Sequence, residues 1–514
     1  MRILVAGILF FALDSLSGAS PAHPAPEIRV SKIVSPAAPN SLGASFTTAP
    51  NGELWLSWVE PSAMASHVAK PAAAPAEHDH GETPDSGQNT LRFAIFDAST
   101  HQWSSARTIV TGHGVPTSNA DFPLLAIDGH GHVFALWQDG HGSAFLSESP
   151  DRGVTWSAPA AWTKESEVVE KFSLCRLADG RILAAWLDGR GRQPNDGSTQ
   201  KLHARIVGAN TPDVLVDPAV CDCCQTALTA FHDGTALVAY RGRTKDEVRD
   251  IRTARFRGQT WDQPRGLNDD DWRINACPIN GPRLASDGGR IAVAWFTAAN
   301  SEPSVFASYS PDAGARFIIP LRLDRGKPMG NVDTLILHDG ALLATWLEID
   351  GSFWLRRVSP EFAAGEPVAL NASFGARVKG FPRLALVRDY TGGEGTAEFV
   401  TAFTLDGPGG GVRTALVTVP EGRLLEAERS CDCAPTSEQL QGFSIRGTIT
   451  SAAAGRLTAK HFEVPGVFAA GTREFKVAPG EAAHLQSGRE FLGRIERRAG
   501  VWWLFDIRLV SIAK

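Results

Sequence analysis

The sequence predicts an all-β protein in which a β-propeller is followed by a second, smaller β domain. Three observations predict this fold class. The chain of 514 residues contains 50 Gly and 32 Pro, which is typical of proteins with many turns. A turn followed by an apolar run and an aromatic residue recurs through residues 27–425, roughly every 50 residues. Residues 442–514 lose this period and show longer alternating runs.

The N-terminal residues 1–19 have the pattern of a secretory signal peptide. Arg2 provides the positive charge, residues 3–13 form an apolar run too short to span a bilayer, and residues 17–19 are small. No other stretch is apolar enough to predict a membrane span, and the net charge of −6 disfavours a nucleic-acid partner. We expect an exported protein, periplasmic or secreted, whose thiols meet an oxidising environment.

The propeller prediction rests on a repeated sequence unit. The copies are "NGELWLSW" (51–58), "DGHGHVFALW" (128–137), "DGRILAAW" (179–186), "DGTALVAY" (233–240), "DGGRIAVAW" (287–295), "DGALLATW" (339–346) and, more weakly, "GGEGTAEFVTAF" (392–403). Each copy has strand-like runs before and after it, so one unit predicts a four-stranded blade that must pack on its neighbours. Counting favours seven blades, with "EIRVSKIV" (27–34) closing the last and 62–88 an insertion in the first; six stays open.

Two hairpin motifs identify the type of propeller. "SPDRGVTW" (149–156) and "SPDAGARF" (310–317) place an Asp where it can accept backbone N–H groups, with a Gly two residues later for a positive φ. These segments resemble the Asp-boxes (BNR repeats) of the sialidase superfamily, and the resemblance covers residues 27–425. It implies a propeller fold, and within the family true sialidases have six blades.

The repeat also predicts where four cysteines lie. "CDCC" (221–224) and Cys277 each precede the first strand of a blade, at the face where propellers usually carry their ligand site, and the two blades are neighbours. Cys221, Cys223, Cys224 and Cys277 are therefore expected to converge near the mouth of the central channel. Three interpretations stay open: two disulfides, a soft-metal site for copper or zinc with thiolate ligands, or a redox or attachment role.

A charged loop (240–252) is expected on the same face. It carries Arg241, Arg243, Glu247 and Arg249. The face is thus predicted to be a polar funnel that could take a small anionic ligand, a glycan or a partner protein.

The sialidase resemblance implies a second set of roles for this face. A sialidase clamps a carboxylate with three arginines and attacks with a Tyr activated by a Glu. The clamp candidates here are Arg241, Arg243 and Arg249. Tyr240 is the candidate nucleophile, Glu247 its base and Asp188 the acid. These arginines share one loop, whereas a clamp of the family draws them from several blades.

Two segments outside the repeat also carry ligand-type residues. The Ala/Pro-rich insertion contains His78 and His80, which could hold a divalent ion loosely, and the alternative is a solvated polar loop. Residues 426–441 interrupt the repeat as a linker with Cys431 and Cys433.

The tail has a resemblance of its own. The pattern "RGTITS…GRLTAKHFEVPGVFAAGTREFKV…GRIERRAGVWWLFDI" resembles the CusF-type periplasmic copper-binding domain. The resemblance implies that the tail folds as a small five-stranded, OB-like β-barrel. The resemblance matches His461 to the copper-binding histidine. Phe468, Gly471 and Arg473 stand where the family carries methionines. A structural or docking barrel is therefore the alternative to a copper site.

Taken together, the residues favour an exported, sialidase-like binding propeller of metal or redox biology, with its cysteine site at the top of the channel. The alternative is an exo-glycosidase of the sialidase type that acts on terminal acidic sugars. Whether the protein is an enzyme stays open at this point.

Overall fold

The computed structural model describes residues 27–420 and 442–509, with gaps at 63–87, 140–141, 164–167, 193–198, 209–211, 361, 390–394, 454, 462–468, 478–484 and 499–500. Four predictions lie outside the described residues: the signal peptide, the His78 and His80 tract, the linker cysteines Cys431 and Cys433, and the position of Phe468.

The propeller consists of antiparallel sheets built from consecutive strands, and each sheet is one blade. Strand β1 (Arg29–Ile33) precedes the first blade. Blade one contains β2 (Leu42–Thr48), β3 (Leu54–Glu60), β4 (Thr90–Asp97), β5 (Gln102–Trp103) and β6 (Arg107–Thr111). Blade two contains β7 (Leu124–Ile127), β8 (Val133–Gln138), β9 (Ala144–Ser149) and β10 (Ala160–Ala161). Blade three contains β11 (Val169–Arg176), β12 (Ile182–Asp188), β13 (Gln200–Ile206) and β14 (Val214–Val220).

The second half of the propeller continues in the same way. Blade four contains β15 (Ala227–Ala230), β16 (Ala236–Arg241), β17 (Ile251–Phe256) and β18 (Arg265–Asn268). Blade five contains β19 (Arg283–Ser286), β20 (Ile291–Thr297), β21 (Ser304–Ser310) and β22 (Leu321–Arg322), with a 3-10 turn at Ala299–Ser301. Blade six contains β23 (Pro328–Ile336), β24 (Leu342–Glu348), β25 (Phe353–Val358) and β26 (Val368–Ala369). Blade seven follows a 3-10 turn at Ala372–Phe374 and contains β27 (Val378–Arg388), β28 (Thr396–Leu405) and β29 (Gly411–Pro420).

The first strand of every blade lines a closed ring. Neighbouring members of the set β2, β7, β11, β15, β19, β23 and β27 contact one another, and β27 returns to contact β2. Strand β1 pairs antiparallel with β29, so the start of the propeller supplies the outermost strand of its last blade. The described sheets confirm the count of seven blades and the closing role of residues 27–34. The predicted insertion falls between β3 and β4.

The aromatic residues that end the repeats form the core between blades. They are Trp58, Trp137, Trp186, Tyr240, Trp295 and Trp346, each exposed by at most 2%. Removing such a ring from water stabilises the fold by roughly 2 kcal/mol or more. Three of them are also fixed by a carboxylate two residues later. Trp58 donates to Glu60 over 3.0 Å, Trp186 to Asp188 over 2.9 Å and Trp346 to Glu348 over 2.9 Å.

The two hairpin motifs make the hydrogen bonds that their sequence predicts. Asp151 accepts the backbone N–H groups of Val154 and Thr155 at 3.1 and 2.8 Å, and Asp312 accepts that of Arg316 at 2.9 Å. Gly153 and Gly314 have φ values of 78° and 84°, which suit residues without a Cβ. Both hairpins lie at the ends of third strands, away from the entrances to β15 and β19.

Residues 442–509 form a closed five-stranded barrel, as predicted. Its strands are β30 (Gly442–Ala453), β31 (Arg456–His461), β32 (Gly471–Lys476), β33 (Glu490–Arg498) and β34 (Val501–Leu509). They close in the order β30-β31-β32-β34-β33 around buried side chains such as Ile449, Leu457, Phe475 and Leu504.

The described part of the chain has no helix with the length and apolar character needed to span a membrane.

Candidate metal centre

The predicted convergence of the cysteines occurs between blades four and five. Cys221, Cys223 and Cys224 precede β15, Cys277 precedes β19, and these two innermost strands contact each other. A disulfide joins Cys223 to Cys277, with 6.1 Å between their Cα atoms. The backbone N–H of Cys221 donates to the carbonyl of Arg241 over 2.9 Å, which ties the cysteine segment to the end of β16.

Two of the four cysteines are not bridged. The Sγ atoms of Cys221 and Cys224 lie 2.9 Å apart and share a hydrogen bond, and Cys223 Sγ lies 3.9 Å from Cys221 Sγ. Cys221, Cys223 and Cys224 are only 1%, 8% and 2% exposed, whereas Cys277 is partly exposed. Of the two disulfides that the sequence allowed, the structure therefore contains one, beside a pair of free thiols.

Arg249 links the charged loop to the free thiols. Its Nη1 donates to Cys221 Sγ over 3.3 Å, and its Nη2 donates to Glu247 over 2.7 Å. Glu247 also accepts from Arg243 over 2.7 Å, and Arg243 in turn donates to Asp222 over 2.8 Å. Asp222 stands between Cys221 and Cys223 in the chain, so this network holds the cysteine segment from both sides.

Arg241 is a buried cation beside the same thiols, with 2% of its surface exposed. Its guanidinium donates to the carbonyl oxygens of Asn280, Arg249 and Phe296 at 2.6–3.0 Å and lies 4.6 Å from the Trp272 ring centroid. Within the described residues, no carboxylate lies at ion-pair distance from it. A buried guanidinium needs compensating negative charge, and a neighbouring thiolate can supply it.

The two free thiols have opposite acidities. The hydrogen bond with Cys224, together with the charges of Arg241 and Arg249, lowers the pKa of Cys221 to about 6, against the effect of burial. Burial, followed by the hydrogen bond and charge of Cys221, raises the pKa of Cys224 well above its ordinary value. The surroundings therefore favour the thiolate form at Cys221 and the thiol form at Cys224.

Close packing of the two blades holds the cluster in place. At Gly281, which follows Cys277 in blade five, an added Cβ would lie 1.9 Å from the backbone oxygen of Gln225, directly after Cys224. The N–H of Gly281 lies 3.4 Å from Gln225 Oε1. Sequence analysis did not identify Gly281, Asp222 or Asn280. Their positions in the sequence could have identified them, because all three lie inside or directly after the cysteine segments.

A small pocket opens at the same end of blades two and three. Its lining includes Asp121, Phe122, Gln138, Lys171 and Gln225. Lys171 is 8% exposed and pairs with Asp121 and Glu170, and its φ of 54° marks a bulge in β11. Sequence analysis identified none of these lining residues, and the polar funnel stays a prediction.

The candidate glycosidase residues do not form one group. Tyr240 is buried and donates to Asp217 over 2.6 Å, and burial together with the Asp217 charge raises its pKa. Asp188 lies in blade three, is fully buried, and accepts from Trp186 and Arg190. Arg243, Glu247 and Arg249 are brought together, but by mutual ion pairs. A raised phenol pKa is the opposite of what a phenolate nucleophile requires.

His461 lies at the end of β31 and is buried against the edge of Phe475, with 6.1 Å between ring centroids. Its partner across the sheet is Gly471, and Arg473 faces Ala459 two positions further along β32. Neither Gly471 nor Arg473 offers a thioether. The weak copper prediction for His461 stays a prediction.

Comparison with protein-family models and with curated proteins finds no match for this chain. Among solved structures, the chain is similar to the BP39L lectin from Burkholderia pseudomallei at 9% identity, covering 73% of this chain and 98% of the lectin, with a TM-score of 0.48. It is similar to the Hadza microbial sialidase Hz136 at 14% identity, covering 65% and 74%, with a TM-score of 0.36. Over 16% of its length, the chain is similar to residues 6–88 of apo-CusF from Escherichia coli at 17% identity, covering 100% of that structure, with a TM-score of 0.14. These likenesses concern the fold alone.

Proposed function

We propose that this protein is an exported metal-binding propeller in which the thiolates of Cys221 and Cys224 bind a copper(I) ion. The observation that carries the proposal is the pair of free thiols, 2.9 Å apart and buried beside two guanidinium groups. A buried thiolate needs neighbouring positive charge to offset the cost of burial, whereas the residues of an exposed polar loop do not.

The donor set favours copper(I) over zinc. Thiolates are soft ligands that select copper(I) and zinc. Structural zinc almost always takes four ligands, commonly four Cys or a mixture of Cys and His. In the part of the chain that the structure describes, the candidate ligand group at this position contains only Cys221, Cys223 and Cys224. An ion that accepts two or three sulfurs suits this group better than one that requires four ligands.

The surrounding charge supports the same proposal. Two thiolates and one monovalent cation leave a net negative charge in a buried place, which would be costly without compensation. Arg249 donates directly to Cys221, and Arg241 lies close enough to lower the pKa of the same thiol. The guanidinium groups therefore offset the charge of the loaded site.

The experiment is an anaerobic copper(I) titration of the whole protein against a chromophoric copper(I) chelator. We expect one tightly bound ion per chain, lost in Cys221→Ser and in Cys224→Ser. Cys175→Ser is the matched control, because Cys175 is a free cysteine in blade three. His461→Ala tests the barrel in parallel. Binding that survives both cluster variants and disappears in His461→Ala would overturn the proposal.

Export is part of the proposal. The Cys223–Cys277 disulfide supports it, because such bridges persist in oxidising compartments and are rare in the cytosol. Whether the compartment is the periplasm or the exterior is decided by fractionating cells that express the full chain. A cytosolic location would contradict this part.

The alternative, sialidase-type hydrolysis, is not favoured by the contacts of Tyr240 and Asp188 described above. Turnover of a fluorogenic sialoside that Arg243→Ala abolishes would revive it. Binding of a glycan, a small anion or a partner protein in the funnel also stays a prediction.

A further inference from the structure

We infer that Cys223 is a third ligand of the same metal site and that its disulfide to Cys277 prevents it from binding the metal. Reduction of this bridge converts a two-sulfur site into a three-sulfur site. The inference rests on the proposed function of Cys221 and Cys224 and adds redox control to it.

The positions of the sulfur atoms carry the inference. The Sγ atoms of Cys221, Cys223 and Cys224 all lie within 4.8 Å of one another, and the Cys221–Cys223 distance is 3.9 Å. With metal–sulfur bonds of about 2.3 Å, three sulfurs in a plane around one ion are about 4 Å apart. Two sulfurs on opposite sides of an ion are about 4.6 Å apart by the same bond length.

The free pair alone fits neither spacing. Cys221 and Cys224 must separate from 2.9 Å before they can hold an ion between them, whereas Cys223 already stands near the three-sulfur spacing from Cys221. A sulfur in a disulfide carries no thiolate charge and is a poor ligand. Opening the bridge therefore supplies the group that is already in position.

Cys277 is suited to block Cys223 by a disulfide and not to bind the metal itself. It comes from the neighbouring blade, is partly exposed, and lies outside the group of three cysteines whose sulfurs converge in the described structure. Cys223 is buried. Because Cys277 is the more exposed of the two bridged residues, we expect a reductant from solvent to attack the Cys277 sulfur.

The reduction uses a thiol reductant, either a small thiol or a dithiol protein. Its thiolate attacks Cys277 Sγ, the Cys223–Cys277 bond breaks, and Cys223 leaves as a thiolate into the cluster. A second reductant thiolate attacks the mixed disulfide and releases Cys277 as a thiolate. Two reductant thiols are thereby oxidised to one disulfide, and two electrons pass to the protein.

The test compares coordination and affinity in two opposite variants of the full chain. Cys277→Ser frees Cys223 permanently, and Cys223→Ser removes the third sulfur while it leaves Cys277 as a thiol. Each protein is loaded with copper(I) without oxygen, and X-ray absorption counts the sulfur neighbours. Chelator competition gives the affinity. Wild type is measured before and after reduction with a phosphine, which covers the case in which Cys277→Ser fails to fold.

We expect two sulfurs in oxidised wild type and in Cys223→Ser, and three in reduced wild type and in Cys277→Ser, with affinity at least tenfold higher in the second pair. Equal sulfur counts and equal affinities in all four samples would overturn the inference and leave the proposed function standing. Copper binding that is unchanged in Cys221→Ser and in Cys224→Ser would overturn the proposed function itself.

Discussion

Arg249 Nη1 donates a hydrogen bond to Cys221 Sγ over 3.3 Å, and this bond joins the charged loop of blade four to the thiol cluster. Hydrogen bonds to charged groups contribute about 1.5–3 kcal/mol, and 1.4 kcal/mol is about tenfold in affinity. We therefore expect Arg249→Met to weaken copper(I) binding by roughly tenfold or more in chelator competition.

Arg243→Met is the control for this substitution. It removes the hydrogen bonds to Glu247, the partner that Arg243 shares with Arg249, and to Asp222, but no described hydrogen bond joins Arg243 to a sulfur atom. It should therefore change the copper affinity by less than about threefold. If both variants lose copper affinity equally, the conformation of the charged loop, and not the Arg249–Cys221 hydrogen bond, supports copper binding.

Gly281 should tolerate no side chain. An added Cβ would lie 1.9 Å from the Gln225 backbone oxygen, and backbone cannot move aside cheaply. We expect Gly281→Ala to lower the free energy of unfolding by about 3 kcal/mol or more, measured by denaturant titration. Gly289→Ala, where nothing lies within 4 Å, should be near neutral. A stable Gly281→Ala variant would mean that blades four and five do not approach so closely.

The stability should depend on pH through Asp250. Burial, and then the hydrogen bond and charge of Asp270, raise the pKa of Asp250 from 3.8 to about 8. Because the folded state holds this proton more tightly than the unfolded state, the stabilisation is complete below about pH 4 and is lost as pH rises through about 8. Thermal melting between these values should show the decline.

Asp270→Asn tests this assignment. The amide can donate to the Asp250 carboxylate in place of the shared proton, so the decline between pH 4 and 8 should flatten and the variant should exceed wild type above pH 8. Asp269→Asn changes the exposed neighbour and should keep the wild-type profile. Identical profiles for wild type and Asp270→Asn would show that Asp270 does not raise the pKa of Asp250.

Tyr240 should stabilise the fold through its hydroxyl group. Its bond of 2.6 Å to Asp217 is buried, and removal of one partner from a buried polar pair costs about 1–3 kcal/mol. Tyr240→Phe should show this loss in urea unfolding, whereas Tyr309→Phe, at a more exposed tyrosine, should show less. Unchanged stability combined with loss of sialoside turnover would instead support a catalytic Tyr240.

The repeat made the propeller predictable from sequence. Each Gly-containing turn and the aromatic residue after it mark a second strand. The apolar residues that pack between blades lie within the same short segment, so a local pattern reveals them. The convergence of Cys277 with residues 221–224 followed from the same counting. Pairing did not, because spacing leaves the connectivity of four cysteines open.

The contacts of the arginines were not predictable in the same way. An arginine in a polar loop is normally expected at the surface, and only the fold shows that Arg249 reaches a cysteine 28 positions earlier. Arg241 likewise ends a strand in the sequence, whereas its carbonyl partners Asn280 and Phe296 come from the next blade. Contacts across blades depend on side-chain direction, which no local pattern encodes.

The pairing of β1 with β29 has a consequence for biosynthesis. Strand β1 is synthesised first but belongs to blade seven, whose other strands are synthesised last. Blade seven therefore stays incomplete until residue 420 has left the ribosome. During that interval β1 has no partner strand, and another chain could add to its unpaired edge. Any fragment that starts after Ile33 lacks β1 and leaves the edge of β29 unpaired for its lifetime, so aggregation, rather than a missing ligand site, would be its first defect.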